Sequence, residues 1–292
     1  MSPLAEAVAQ ACATEVRAVR PVAGGDINEA HRVELADGRT VFVKTNAAAP
    51  PGMFAAEASG LAWLRDADAV RIPAVVGMVD PPTAHDGPRL LVLEWIERGP
   101  PKADHDEELG RALANVHRSG APTCGLASGD GNWVGAIAQS NTSTTTWTDF
   151  YAHERLEPLV RRAVDRKLLP LEARARFATL FAKLDALYPT PEPPARLHGD
   201  LWGGNAMTDE RGAPVLVDPA VYGGHREMDL AMMQLFGGFA PRVFAAYDEV
   251  HPRLDGHASR VALHQLYPLL VHTLLFGGSY AAATLRALST YE

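Results

Sequence analysis

His31-Arg32-Val33-Glu34-Leu35 and Thr40-Val41-Phe42-Val43-Lys44 alternate apolar and polar positions on either side of Asp37-Gly38, a pair that favours a tight turn. They read as the two strands of an antiparallel hairpin. Ile72 to Val79 and Arg89 to Ile96 are short apolar runs of strand length and add two more. Around these runs the period changes. Leu4, Val8, Ala11 and Cys12 repeat at helical spacing over residues 3–16, and Phe54, Ala58, Leu61 and Leu64 line one face of a second helix.

Beyond Gly99-Pro100-Pro101, which reads as a hinge, the pattern is helical. Asp104-His105-Asp106-Glu107 resembles a capping box and leads into Leu109, Leu113 and Val116 on one face. Residues 125–143, rich in Gly, Ser, Thr and Asn, read as a long irregular segment that could border an acceptor pocket. Helical periodicity resumes over 147–168 and 171–188, and the proline-rich residues 189–194 form a stiff approach to the polar loop that begins at His198. Leu266 to Phe276 reads as a buried helix, too short to span a bilayer. The expected class is α+β: a small antiparallel sheet with one main helix in residues 1–97, then a mostly helical lobe in residues 98–292.

The chain has 292 residues, a length that favours two lobes sharing a cleft over one core. Hydrophobic residues make up 47% and charged residues 21%, as in a folded globular protein, and the net charge of -8 disfavours nucleic acid or an anionic membrane as partner. Cys12 and Cys124 are far apart and lack metal-ligand spacing, so no structural disulfide is expected. The first residues lack a basic stretch followed by an apolar core, and a reduced, cytoplasmic setting is the expectation.

The chemistry concentrates in Leu197-His198-Gly199-Asp200-Leu201-Trp202-Gly203-Gly204-Asn205 and in Leu216-Val217-Asp218-Pro219. A carboxylate, a carboxamide five residues on and a second carboxylate thirteen beyond are the groups that phosphoryl transfer from Mg-ATP requires, in the expected order. Asp200 stands where an acceptor hydroxyl would be oriented and deprotonated. Asn205 and Asp218 offer the hard oxygen donors that Mg²⁺ takes. Asp218 follows the apolar run Pro214 to Val217, expected to be a short strand, and Gly203-Gly204 is expected to let the loop turn back so that Asp200 and Asn205 share a face.

The first hairpin carries weaker signals that support these. Gly24-Gly25 before it and Lys44 at its end resemble the phosphate-covering loop and the strand lysine of kinase-like folds, and Glu57 lies on the next helix where such a lysine's counterion belongs. A buried ammonium needs an anion of this kind.

Taken together, Gly24-Gly25-Asp26-Ile27-Asn28, Glu94-Trp95-Ile96, the segment from His198 to Asn205, Asp218 to Gly223 and Leu235-Phe236-Gly237-Gly238-Phe239 resemble the fructosamine/ketosamine-3-kinase family, within the aminoglycoside phosphotransferase and protein-kinase-like superfamily. The likeness extends through Trp133-Val134-Gly135, Gln139, Asn141 and His272 to Tyr280. It implies ATP-dependent phosphorylation of the sugar 3-hydroxyl of a ketosamine, with Mg²⁺, and release of the amine from the labile product. It further implies Asp200 as base, Asn205 and Asp218 as metal ligands, and Gly24, Gly25, Lys44 and Glu57 on the nucleotide. Adenine would meet the backbone from Glu94 to Ile96. Trp202 and His272 would face the acceptor, while His198 and Asp229 would brace the loop. Another small-molecule kinase of this fold, acting on choline or an aminoglycoside, would share every nucleotide residue, and a pseudokinase that binds without turnover is the other alternative. The identity of the sugar, the size of the amine and the oligomeric state are left open at this level.

Overall fold

The computed structural model describes residues 2–23, 28–81 and 87–292. The chain divides into two compact units, residues 1–105 with 206–219, and residues 106–205 with 220–292.

The first unit opens with α1 (Pro3–Cys12), capped by the Ser2 hydroxyl and ended by Ala13 in the left-handed region at φ 52. The helix is therefore shorter than the expected 3–16, because β1 (Val16–Val22) begins almost at once. β2 (Glu29–Leu35) and β3 (Thr40–Thr45) form the expected hairpin, with Gly38 at φ 89 in its turn. After α2 (Met53–Arg65) come β4 (Val75–Val79) and β5 (Leu90–Glu94), completing an antiparallel sheet in the order β1-β2-β3-β5-β4. Val8 and Cys12 of α1 close its core over Val33, Leu35, Val41, Val43, Leu90 and Val92. The start of α2 is held from outside: the Asp80 carboxylate accepts the N–H groups of Gly52 and Ala55 and is itself paired with Arg89.

The second unit starts within α3 (His105–Arg118). The segment expected to be irregular contains a small hairpin, β6 (Asn132–Val134) with β7 (Ile137–Gln139). Three-residue strands are too short to leave a period-2 signal. The helical run from 147 is built as α4 (Trp147–Asp149), a π-helical segment Phe150–Leu156 and α5 (Glu157–Asp165), followed by α6 (Ala173–Phe181) and α7 (Leu184–Leu187). β8 (Ala195–Leu197) leads into the loop of Asp200. The chain then contributes β9 (Ala206–Thr208) and β10 (Pro214–Leu216) to the first unit, where they pair with each other. β11 (Tyr222–Gly224) pairs with β8, and α8 (Glu227–Phe236), α9 (Pro241–Val250), α10 (His257–Phe276) and α11 (Ser279–Ser289) complete the second unit. Its core joins Phe150, Tyr151, Phe177, Leu197, Tyr222, Leu266 and Leu270.

This division differs from a simple cut after residue 97. Arg71 binds Asp209 at 2.7 Å and Glu94 at 2.7 Å, Gly99 N–H donates to Thr208 O, and Lys102 N–H donates to Gly212 O. Those bonds keep residues 98–105 and the β9–β10 hairpin with the sheet. Cys12 and Cys124 are both buried free thiols. Among the described residues, no helix is long and apolar enough to cross a membrane.

Candidate active site

In the first unit three charges converge. Lys44 on β3 is 7% exposed, and its Nζ donates to Glu57 of α2 at 2.8 Å and to Asp218 at 2.5 Å. Burial alone would pull the ammonium down, but the charges of Asp218 and Glu57 outweigh it and hold Lys44 above its ordinary value. Burial lifts the Glu57 carboxyl, with Lys44 working against that lift. Asp218 follows β10, as the apolar run before it predicts, and occupies the left-handed region at φ 57. Few residues other than glycine accept that backbone, and Asp is among those that do. Its side chain is 51% exposed, so the carboxylate is reachable from solvent while it pairs with Lys44.

In the second unit the catalytic-loop candidates assemble around Asp229. Its buried carboxylate accepts the N–H of His198 at 2.8 Å and of Gly199 at 2.9 Å, and it meets His117 Nε2 at 3.2 Å. His117 Nδ1 in turn lies 2.8 Å from the Tyr247 hydroxyl. Burial by itself would raise the Asp229 carboxyl; the hydrogen bond and charge of His117 and the Gly199 N–H reverse this and lower it. His198, fully buried, accepts the Asp200 N–H on Nδ1 at 3.3 Å. Gly199 takes φ 81, and a Cβ there would come within 2.1 Å of Ala220 O, so this position admits no side chain.

Asp200 and Asn205 share a face, as the spacing predicts. Asn205 Nδ2 donates to Asp200 O at 2.8 Å and to Asp200 Oδ2 at 3.2 Å, so the carboxamide turns its nitrogen toward Asp200. The glycine pair between them works differently from the expectation. Neither Gly203 nor Gly204 has a positive φ; a Cβ on Gly204 would instead strike the Trp202 ring at 2.2–2.6 Å. The requirement at Gly204 comes from the close approach of Trp202, which remains 44% exposed.

His272 on α10 is half-buried among aromatic rings, 4.4 Å from Phe236, 5.0 Å from Tyr280 and 5.4 Å from Phe276 between centroids. Its Nδ1 lies 2.8 Å from Pro268 O and so carries the proton, and burial lowers its pKa despite that bond. Gly203 and Gly238 pack backbone to backbone, which sets the loop of Trp202 beside the one that follows Phe236. Glu94 ends β5 with its N–H on Ala74 O at 2.8 Å and its carboxylate on Arg71 and the Ala74 N–H; Ile96 is buried. Gly24 and Gly25 lie outside the described residues.

The fructosamine kinase family profile matches residues 3–291. The chain belongs to the fructosamine kinase family. A probable ketoamine kinase of Enterococcus faecium is 36% identical over 94% of this chain and 95% of its own length. The ketosamine-3-kinase of the mouse is 31% identical over 94% of each chain. The crystal structure of a candidate fructosamine-3-kinase from Thermobifida fusca superposes with a TM-score of 0.88 at 39% identity, over 99% of this chain and 98% of that one. The α+β fold is the kinase-like one that aminoglycoside phosphotransferases and choline kinase also adopt.

Several groups behind the family's loop escape a reading of the sequence. His117 lies on the buried face of α3, where its neighbour Val116 reads as core and no motif singles out the histidine. Asn132, Arg155 and Tyr267 are buried polar residues from three separate elements, and only their convergence reveals them. His225, Glu227 and His264 form another buried cluster, but Arg260 occupies both Glu227 oxygens at 2.7 and 2.9 Å, which makes it an ion-pair network.

Proposed function

We propose that this chain transfers the γ-phosphoryl group of ATP to the sugar 3-hydroxyl of a ketosamine. The observation that carries the reading is the Asp200–Asn205 pair, set in a chain that the fructosamine kinase profile matches almost end to end. The acceptor hydroxyl donates to Asp200, its proton passes to that carboxylate as the oxygen forms its bond to the γ-phosphorus, and ADP departs with the electrons of the broken P–O bond. The 3-phosphorylated ketosamine is labile and releases its amine, which reverses a glycation.

On the nucleotide side, Lys44 holds phosphate oxygens and Glu57 keeps its ammonium in place, while Gly24 and Gly25 would let the backbone approach the phosphates. The adenine meets the carbonyl of Glu94, whose N–H is committed to Ala74, and the backbone of Ile96. Asn205 and Asp218 supply a carboxamide and a carboxylate, hard oxygen donors that suit Mg²⁺. Held by such donors, Mg²⁺ would neutralise charge on the phosphate oxygens. On the acceptor side the Trp202 ring packs against sugar C–H groups, and His272 offers Nε2 as a neutral acceptor for a hydroxyl or ammonium. A cytoplasmic setting accords with the two reduced thiols.

An ATP-consumption assay with Mg²⁺ over fructosyl-lysine, ribulosyl-lysine, choline and an aminoglycoside tests this. Turnover of the ketosamines that disappears in Asp200→Asn is the expected result. Turnover of choline or the aminoglycoside alone would keep the phosphotransfer chemistry and overturn the acceptor.

A further inference from the structure

The Asp200 loop is braced on two sides, and only one of them is the Asp229 carboxylate. On the other, Ala220 N–H donates to His198 O at 2.9 Å, and Gly199 packs so closely that even a methyl group would collide with Ala220 O. The position of Ala220 therefore fixes that of the His198–Gly199 peptide.

Ala220 is held by side chains rather than by a long strand. Gln139 Nε2 donates to Ala220 O at 3.1 Å and to Asn132 Oδ1 at 2.7 Å, and Asn132 Nδ2 donates to Val221 O at 2.9 Å. Asn141 Nδ2 also donates to Asn132 Oδ1, and the Tyr267 hydroxyl donates to Gln139 Oε1. Behind the amides lies Arg155, with no exposed surface: one Nη donates to Asn141 Oδ1 at 2.7 Å, the other to Ser140 O, and its guanidinium stacks 4.0 Å over Tyr222. Arg155 and Asn141 fix which way the amides face, so that Gln139 presents its NH₂ to Ala220 and its oxygen to Tyr267. Among the atoms of this network only Arg155 Nε is left without a hydrogen-bond partner, and polar groups so nearly satisfied in a core are costly to bury and specify one arrangement. Burial lifts the Tyr267 phenol to about 12, with Arg155 opposing and the charge of Asp200 adding to the lift.

We propose that Tyr267 and Gln139 are positioning residues for Asp200, acting through Ala220 and His198 to set the loop at the height where the carboxylate meets the acceptor hydroxyl. This rests on Asp200 as the base. Both side chains are buried, each 4% exposed, and both bond within the network behind the loop. Their contribution is to kcat, since a misplaced base leaves ATP binding alone while slowing the step that needs alignment.

The test uses the full chain with Tyr267→Phe, Gln139→Leu, the double variant and Asp200→Asn, reading kcat, KM for ATP and for fructosyl-lysine, and thermal midpoint. Each single change should lower kcat about tenfold and leave KM for ATP within about twofold. The double variant should lose little more than Gln139→Leu alone, because the two act along one path. Should Gln139→Leu fail to fold, Tyr267→Phe, which removes a single oxygen, decides the matter by itself. A kcat within about twofold of wild type in Tyr267→Phe, or losses that multiply in the double variant, would overturn the inference. Undiminished turnover in Asp200→Asn would instead remove the base reading beneath it.

Discussion

Lys44 and Asp218 lie 174 residues apart in sequence and 2.5 Å apart in space. Glu57 completes the triad at 2.8 Å from the ammonium, so one lysine neutralises two carboxylates of different exposure. Lys44→Met leaves Glu57 buried without its cation and Asp218 without its tether. The expected outcome is a loss of about 10- to 100-fold in kcat/KM for ATP, roughly 1.4–2.7 kcal/mol. Glu57→Gln keeps the Asp218 contact and should cost less, about tenfold. Steady-state kinetics at varied ATP checks both, and a larger defect in Glu57→Gln than in Lys44→Met would contradict this order.

Asp200→Asn keeps the shape of the loop and removes the proposed proton acceptor. Its kcat should fall by about 10²- to 10⁴-fold. ATP affinity, read by titration calorimetry, should move by less than about twofold if Asp200 acts on the acceptor as proposed. A variant whose chief defect is ATP affinity would place Asp200 on the nucleotide instead.

Much of this site is legible in the chain because it is written in short-range spacing. Asp200 and Asn205 are joined by a single 3₁₀ turn, Gly203–Asn205, so their meeting follows from five residues of sequence. Lys44 and Glu57 could be paired because a hairpin with an Asp-Gly turn and an amphipathic helix each declare themselves, and an ammonium on the buried side of a strand needs an anion. The rest depends on distant convergence. Gln139, Asn132 and Arg155 come from two three-residue strands and a π-helical segment, and their chemistry appears only when the amides meet Ala220 and Val221. The π segment leaves no trace in an apolar pattern that fits an α-helix nearly as well. The Trp202 ring over Gly204 is likewise a fact of side-chain packing, and glycine's usual association with turns points elsewhere.

Asp218 adopts φ 57, which separates the roles of its backbone and its carboxylate. Asp218→Ala and Asp218→Gly both remove the metal-ligand candidate and the partner of Lys44, so both should lose most activity. Only alanine retains the left-handed strain, about 1–2 kcal/mol for a residue with a Cβ. Thermal denaturation should accordingly find Asp218→Gly the more stable of the two. The reverse order would mean that the backbone relaxes out of this conformation once the carboxylate is gone.

Gly204→Ala tests the proposed acceptor wall, Trp202, without altering any polar group. A Cβ would sit 2.2 Å from the nearest Trp202 ring atom, so the indole must swing away. KM for fructosyl-lysine should rise about tenfold, with KM for ATP unchanged within about twofold. If both constants rise together, the substitution has disturbed the loop itself, and Trp202→Ala, which keeps Gly204, becomes the cleaner probe of the wall.

Stability should fall as the solution is acidified below neutrality, and the buried His225–Glu227–His264 cluster is the main reason. The two imidazoles stack 5.1 Å apart, with Arg226, Arg260, Glu192 and Tyr188 around them. Burial holds both histidines below the ordinary value of 6.5, His225 well below it, and the half-buried His251 is lowered to about 4 by burial and then by Arg226. A group depressed in this way stays neutral in the fold while the unfolded chain takes up a proton. The stability it contributes is present above 6.5 and drains away as pH falls beneath it, by up to ~1.4 kcal/mol per pH unit for each histidine. Glu227 and Asp229 act in the same direction at lower pH. Burial would raise both, yet hydrogen bonds from His264 and Arg260 to Glu227, and from His117 to Asp229, hold them below 4.5 and 3.8. Their contribution persists until the pH drops through those values and is lost beyond. Scanning calorimetry from pH 7.5 to 5 should therefore show a falling midpoint that His225→Gln flattens, because one proton fewer is taken up on unfolding. A midpoint constant across that range would mean that the histidines titrate in the folded chain as they do in the unfolded one.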